Sequence, residues 1–210
     1  MAIKLIVADD QPVIRQGVAR LLAGEDVTIV AEAGTGTEAM GKTRKYKPDV
    51  LLMDVRLPGV DGLDALEKIR EKVPQTKVII MTAYDNPTYL ARAAALGAAA
   101  FLRKDQSAKV FVATIKNVAL GRPAAPDTAL SQMQAQLATR RDPKADDVPL
   151  TKREYQVLRH LAYGLSNREI AKSLAVSLET AKEHVQNLMR KMDVKDRTEA
   201  ATWATKRGLV

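Results

Sequence analysis

The sequence predicts an α/β doubly wound parallel five-stranded sheet followed by a small all-α domain. Three observations carry that expectation. Residues 1–120 alternate short apolar runs with helix-like segments, one helix to each strand. The composition changes over residues 122–149, and from Leu150 onward no strand pattern remains while helix-start signatures recur.

Taken in order, the apolar runs place strands near 3–8, 27–32, 49–54, 77–82 and 99–103, with helices near 12–23, 36–46, 62–73, 87–96 and 107–120. Short apolar runs bounded by turn residues read as buried strands of a parallel sheet. Pro48 and Pro74 punctuate two helix ends, and Gly97 and Gly121 suit two others. Five βα units predict right-handed crossovers that cover both faces of the sheet. About 120 residues with one helix per strand suit the flavodoxin-like strand order 2-1-3-4-5. The closed eight-stranded barrel needs about twice that length.

Pro123, Pro126, Pro143 and Pro149 flank a polar stretch and the charged run from Arg140 to Asp147, which reads as an interdomain linker with a short helix near 128–139. The expected organisation is residues 1–121, a linker over 122–148, and a C-terminal domain over 149–210. In that last part, Thr151 to Glu154 and Ser166 to Glu169 have the form of capping boxes. Ser177 to Thr180, in a weaker version, and Asp196 to Glu199 open two further helices with the same form, and Gly164 and Gly208 suit helix C-caps.

Composition narrows the function. The chain has no cysteine, which excludes a disulfide framework and a thiolate metal site. With no signal peptide and no apolar stretch near the roughly 18 residues that span a bilayer, the expectation is a cytoplasmic protein without membrane association. The net charge of +8 is concentrated toward the end: residues 148–210 hold 12 basic and 7 acidic side chains. That excess favours a polyanionic partner.

The strand ends carry the chemistry. The first strand runs into Asp9-Asp10, the third ends at Asp54, the fourth at Thr82, and the fifth leads to Lys104. In open α/β sheets ligands gather beyond the carboxyl ends of the strands. Three acids together repel one another unless a cation joins them, and an all-oxygen set points to Mg²⁺ or Mn²⁺ rather than zinc. A carboxylate beside such an ion can attack a phosphoryl donor, with Lys104 balancing charge and Thr82 supplying a hydrogen bond. Each residue alone has a plainer reading, as a helix cap, a surface charge or a strand end. Together at the strand ends they read as a phosphoryl site.

With Asp9-Asp10, Asp54 followed by Leu57 to Gly62, Thr82-Ala83, and Gly97-Ala98 leading to Phe101-Leu102-Arg103-Lys104, residues 1–120 resemble the receiver domain of two-component response regulators. The resemblance implies that Asp54 is the phosphoacceptor for a sensor histidine kinase. It implies that Asp9, Asp10, Asp54 and the Arg56 backbone carbonyl hold Mg²⁺, and that Thr82 and Phe101 form a switch pair. Arg56 and Tyr84, two residues beyond the acceptor and the threonine, are implied to tune phosphoryl lifetime. A receiver of this type performs self-phosphotransfer and autodephosphorylation and is not a turnover enzyme.

A rival pattern lies in the same region. Gly36 to Thr43 satisfies G-x-x-x-x-G-K-[ST], the phosphate-cradling loop of nucleotide hydrolases. However, Glu38, Ala39 and Met40 are good helix formers, which places Gly41 and Lys42 inside a helix rather than in a loop. The next strand also begins only six residues after Thr43.

In the C-terminal part, a helix after Ser166, a tight Ala175-Val176-Ser177 connection and a longer helix after Ser177 predict a helix-turn-helix. Ala181, Val185, Leu188 and Met192 form its buried stripe; Lys182, Glu183, Gln186, Asn187 and Arg190 face outward. Such a face can enter a major groove, cations meeting phosphates and Gln or Asn reading adenine edges. The segments Leu150 to Glu154, Gly164 to Ala171 and Thr180 to Val185 resemble the LuxR/NarL/FixJ-type DNA-binding domain. That resemblance implies double-stranded DNA as partner, a homodimer when phosphorylated, and a dimer contact through a last helix near 197–207 carrying Trp203. Ala181 and Glu183 depart from the family pattern, and His160 and His184 read as helix-packing residues.

Overall fold

The computed structural model describes residues 2–122, 128–138, 148 and 150–209. Pro123, Pro126, Pro143 and Pro149, expected to flank a linker, and the run from Arg140 to Asp147 lie outside those residues. Five strands, β1 (Ile3–Ala8), β2 (Val27–Ala33), β3 (Val50–Asp54), β4 (Lys77–Thr82) and β5 (Ala100–Arg103), form one sheet of order β2-β1-β3-β4-β5 with every pairing parallel. This is the expected flavodoxin-like order. The helices between them are α1 (Pro12–Leu21), α2 (Gly36–Tyr46), α3 (Gly62–Lys72), α4 (Pro87–Ala95) and α5 (Ala108–Ala119). The chain continues with α6 (Ala129–Ala138), α7 (Lys152–Ala162), α8 (Asn167–Leu174), α9 (Leu178–Met192) and α10 (Arg197–Lys206).

The chain divides into two compact units, the first made of Met1–Asp85 with Ala98–Thr128 and the second of Asn86–Gly97 with Ala129–Val210. In the first unit, strand alternation sorts the core. Leu5, Val7, Leu52, Ile79 and Met81 join Val18 of α1 and Phe111, Ile115 and Val118 of α5 in one buried cluster. Their alternates, such as Ile6, Leu51, Met53 and Ile80, point to the other face of the sheet, where α2 and α3 lie. β3 is buried throughout, so its sequence reads as continuous apolar residues ending in a single acid.

Two glycines fix how closely α2 and α3 approach the loop after β3. A Cβ at Gly62 would run into the Asp54 carbonyl oxygen, and one at Gly36 into that of Val60. Gly62 also donates its N–H to the Val55 carbonyl at 2.8 Å.

In the second unit, α7 packs on α9 and α10, α8 on α9, and α4 on α6 and α8. Arg92 of α4 donates to the Glu169 carboxylate of α8. Of the four helix starts expected to have capping-box form, two form the reciprocal pair, at Thr151/Glu154 and Ser166/Glu169. The other two starts are capped on one side only. Ser177 accepts from the Thr180 N–H and shares a hydroxyl–hydroxyl bond with Thr180, which has no carboxylate to reach back. Asp196 accepts from the Thr198 and Glu199 N–H groups, while Glu199 turns to the Lys195 N–H. Gly97, Gly121, Gly164 and Gly208 all take positive φ just beyond helix ends, as their positions in the sequence predict. Among the described residues, no helix is long and apolar enough to cross a membrane.

Candidate functional site

The ends of β1, β3 and β5 bring Asp9, Asp10, Asp54 and Lys104 together. Asp9 and Asp54 are buried, Asp10 is exposed, and all three offer carboxylate oxygens within 4.8 Å of one another. The Lys104 ammonium lies between the two buried acids, 2.7 Å from Asp9 Oδ2 and 2.8 Å from Asp54 Oδ2. Its backbone is anchored by its N–H, which donates to the Thr82 carbonyl at 2.8 Å. That bond ties the fifth strand's cation to the fourth strand's hydroxyl residue. Asp9 Oδ1 accepts the Gln11 N–H at 2.9 Å, while its Oδ2 is buried with an ion-pair neighbour but no directed hydrogen bond.

The electrostatics follow from burial. Removal from water pushes the Asp54 carboxyl up from its ordinary value, and the neighbouring Asp9 charge adds to this; Lys104 and the Arg56 backbone N–H pull in the opposite direction without winning. For Lys104, burial works against the charged form, but the hydrogen bond to Asp54 and the negative charges of Asp54 and Asp9 outweigh it and raise the ammonium's pKa. The lysine is therefore held firmly as a cation. The donor set of clustered carboxylates, with one buried oxygen lacking a directed partner, fits a hard divalent cation.

Thr82 is fully buried, and its Oγ1 accepts the Tyr84 N–H at 3.1 Å, leaving the hydroxyl proton available. Phe101 sits on β5 opposite Ile80 and is half-buried. Arg56 and Tyr84 stack on each other, with the guanidinium 4.3 Å from the ring centre.

The rival nucleotide reading fails on geometry. Gly36 to Tyr46 is one continuous α-helix, capped by the Thr35 side chain, which accepts from the Glu38 N–H. Lys42 spends its ammonium on the Glu32 carbonyl (2.6 Å) and the Glu38 carboxylate (2.9 Å), so neither lysine nor backbone cradles a phosphate.

In the second unit, α8 and α9 are joined at Ala175, which takes a left-handed conformation with φ 52°. On α9 the buried residues are Ala181, Val185, Leu188 and Met192, the predicted stripe. Glu183, Gln186, Asn187 and Arg190 are exposed and Lys182 is half-buried, so all five lie off the packed face. Arg190 donates to Asn187 Oδ1 at 2.7 Å, and Lys182 to Glu179 at 3.1 Å. His160 is fully buried, as a packing residue would be; His184 is half-buried.

Residues 5–116 match the family described as "Response regulator receiver domain", and residues 148–204 match "Bacterial regulatory proteins, luxR family". The chain belongs to the LuxR family of two-component response regulators. This regulator is 35% identical over 216 residues to the transcriptional regulatory protein LnrK of Bacillus subtilis, covering 99% of this chain and 98% of that one. The response regulator ChrA of a heme-sensing two-component system is 30% identical and superimposes with a TM-score of 0.54, covering 100% of this chain and 99% of the other. A LuxR-family DNA-binding response regulator from Staphylococcus aureus is 35% identical over 56% of this chain and 98% of its own, with a TM-score of 0.54. This response regulator is thus a DNA-binding regulator of transcription, with a receiver and a LuxR-type helix-turn-helix.

Some participants in the regulator's pocket are not evident from its sequence. Arg15 donates to the Asp9 backbone carbonyl at 2.8 Å and pairs with Glu32 at 2.7 Å, bracing the turn that aims the first two acids. Its position one turn into α1 carries no motif. The stacking of Arg56 on Tyr84 joins two residues 28 positions apart that the sequence singles out separately.

Proposed function

We propose that this response regulator accepts a phosphoryl group on Asp54 from a sensor histidine kinase, and that phosphorylation alters dimerisation and promoter binding. The observation that carries the reading is the single Lys104 ammonium shared by two buried carboxylates, Asp9 and Asp54. In such a pocket the Asp54 oxygen attacks phosphorus, forming the acyl phosphate as the bond to the donor's imidazole nitrogen breaks and that nitrogen keeps the electron pair. Lys104 then exchanges a carboxylate partner for a phosphoryl oxygen. The Thr82 hydroxyl donates its free proton to the same group, and Phe101 follows as the second member of the switch pair.

Asp9, Asp10, Asp54 and the Arg56 backbone carbonyl would hold Mg²⁺, which when bound neutralises charge on the phosphoryl oxygens. Asp9 fixes its own carboxylate through Gln11, so the ligand position is set before any cation arrives.

On the output side, Lys182, Glu183, Gln186, Asn187 and Arg190 of α9 meet double-stranded DNA, and α10 with Trp203 supplies a homodimer contact. We take residues 1–121 as the receiver, 122–148 as the linker and 149–210 as the DNA-binding domain.

The test is phosphotransfer from a small acyl-phosphate donor in Mg²⁺, followed by mass and duplex affinity with and without beryllofluoride. The expected result is labelling of the wild type and none of Asp54→Ala, with a beryllofluoride-dependent rise in mass and affinity. Equal labelling of the two proteins would overturn the acceptor assignment. An unchanged mass and affinity would instead favour a regulator that binds DNA constitutively.

A further inference from the structure

The face of the receiver sheet that carries α2 and α3 holds a cleft unrelated to the acidic pocket. It has a volume of about 430 Å³, and its lining includes Met40 and Arg44 of α2, Lys68, Ile69 and Lys72 of α3, and Val73. Such a volume falls in the range of small-molecule pockets, roughly 300–1,000 Å³. The floor is apolar, since Ile69 and Val73 are buried and Met40 is half-buried. Among the described residues every charged side chain lining it is cationic.

Helix ends explain part of that charge. Arg44 and Lys72 lie in the last turns of α2 and α3, where a cation complements the helix dipole. Lys68 does not, because it stands a full turn earlier on α3. Elsewhere on α2 charge is matched locally: Lys42 pairs with Glu38 one turn away. The cleft therefore combines an apolar floor with a cationic rim that exceeds what helix ends require.

We propose that this cleft binds a small amphiphilic anion, its apolar body on Met40, Ile69 and Val73 and its carboxylate-like head among Arg44, Lys68 and Lys72. The two helices that form the cleft also brace the phosphoacceptor loop, because Gly36 abuts the Val60 carbonyl and Gly62 the Asp54 carbonyl. A ligand between them thus touches the elements on which the loop after β3 rests.

The seven methionines supply the assay, since Met40 lies in the cleft while Met53 and Met81 are buried strand residues. The full-length protein, labelled at methionine methyl groups, is titrated by NMR with octanoate, octanol and octylammonium. Saturable movement of the Met40 resonance with octanoate is expected, with octanol weaker and octylammonium weaker still. Lys68→Glu and Lys72→Glu, both at exposed positions, should each weaken octanoate about fivefold, the equivalent of about 1 kcal/mol for one exposed ion pair. Octanol binding as tightly as octanoate would overturn the proposal, as would charge reversals without effect or no saturation at Met40. If an acidic amphipathic helical peptide moved Met40 where octanoate did not, the cleft would be a protein-docking face and the proposal would also fail.

Discussion

Acidification should destabilise the helical unit through one residue, His160. Its ring is fully buried, with Nδ1 2.6 Å from the Gln156 carbonyl and Nε2 2.7 Å from Ser173 Oγ. A carbonyl only accepts, so Nδ1 carries the hydrogen and Nε2 accepts from the serine hydroxyl, which fixes a neutral tautomer. Burial, with the nearby Arg153 and Arg159 charges, lowers its pKa from 6.5 to about 4. The sign follows directly. Well above pH 6.5 both folded and unfolded rings are neutral and the residue contributes nothing to pH dependence. Below it the unfolded chain binds a proton that the folded one refuses, and stability falls until about pH 4, where the folded ring titrates too.

Between about pH 7 and about pH 4.5 the loss amounts to about 2–3 kcal/mol. For a unit with a urea slope of about 1 kcal/mol/M, the unfolding midpoint moves down by roughly 2–3 M. The single tryptophan, Trp203 on α10, makes its fluorescence a reporter of this unit within the full chain. His160→Leu strands the Ser173 hydroxyl and should cost about 1 kcal/mol at neutral pH. It nevertheless becomes the more stable protein at about pH 4.5, because it has no proton to refuse. Carboxylates such as Glu154, whose pKa Lys191 and the Thr151 N–H hold down against burial, titrate alike in both proteins. Parallel pH profiles for wild type and His160→Leu would refute the reasoning.

Four other outcomes are expected. Lys104→Met leaves Asp9 and Asp54 without their shared cation, so the Asp54 pKa climbs further and phosphotransfer falls by roughly 10²-fold. Calorimetric titration with Mg²⁺ should show binding retained in that variant, and loss of both would mean collapse of the pocket instead. Gly62→Ala drives a Cβ into the Asp54 carbonyl and should destabilise the receiver by more than about 3 kcal/mol in thermal unfolding, whereas a change under about 1 kcal/mol would contradict the close approach. Lys182→Ala and Arg190→Ala should each reduce the salt slope of duplex binding by about 1, and an unchanged slope would remove that residue from the phosphate contacts. Arg56→Ala, Tyr84→Ala and the double variant should change acyl-phosphate decay by similar factors if the stacked pair acts as one unit; simple additivity would separate them.

The strands and the acids at their ends are legible in the sequence because burial writes itself locally. β3 is apolar throughout and stops at Asp54, and Gly97 and Gly121 mark helix ends that the backbone takes at positive φ. Tertiary pairings have no such local signature. Nothing in the spacing of residues 9, 54 and 104 says that the lysine bridges both acids, nor that Arg15 braces Asp9 from α1. The Gly36 to Thr43 pattern illustrates the reverse case, in which a strong string match loses to helix propensity. Once Thr35 caps α2, Glu38 and Lys42 are on one helical face and pair with each other. The cationic cleft is invisible in sequence because it belongs to the space between α2 and α3.

The helix starts of the second unit have a wider consequence. Thr151, Ser166, Ser177 and Asp196 each satisfy donors of the first turn from no more than three residues away. Where α7, α8, α9 and α10 begin is therefore written in windows of four residues. A segment whose internal punctuation is so local can be moved between chains without losing its phrasing. Recombination at a point before Thr151 would exchange what the DNA reader listens to while leaving its helix boundaries intact.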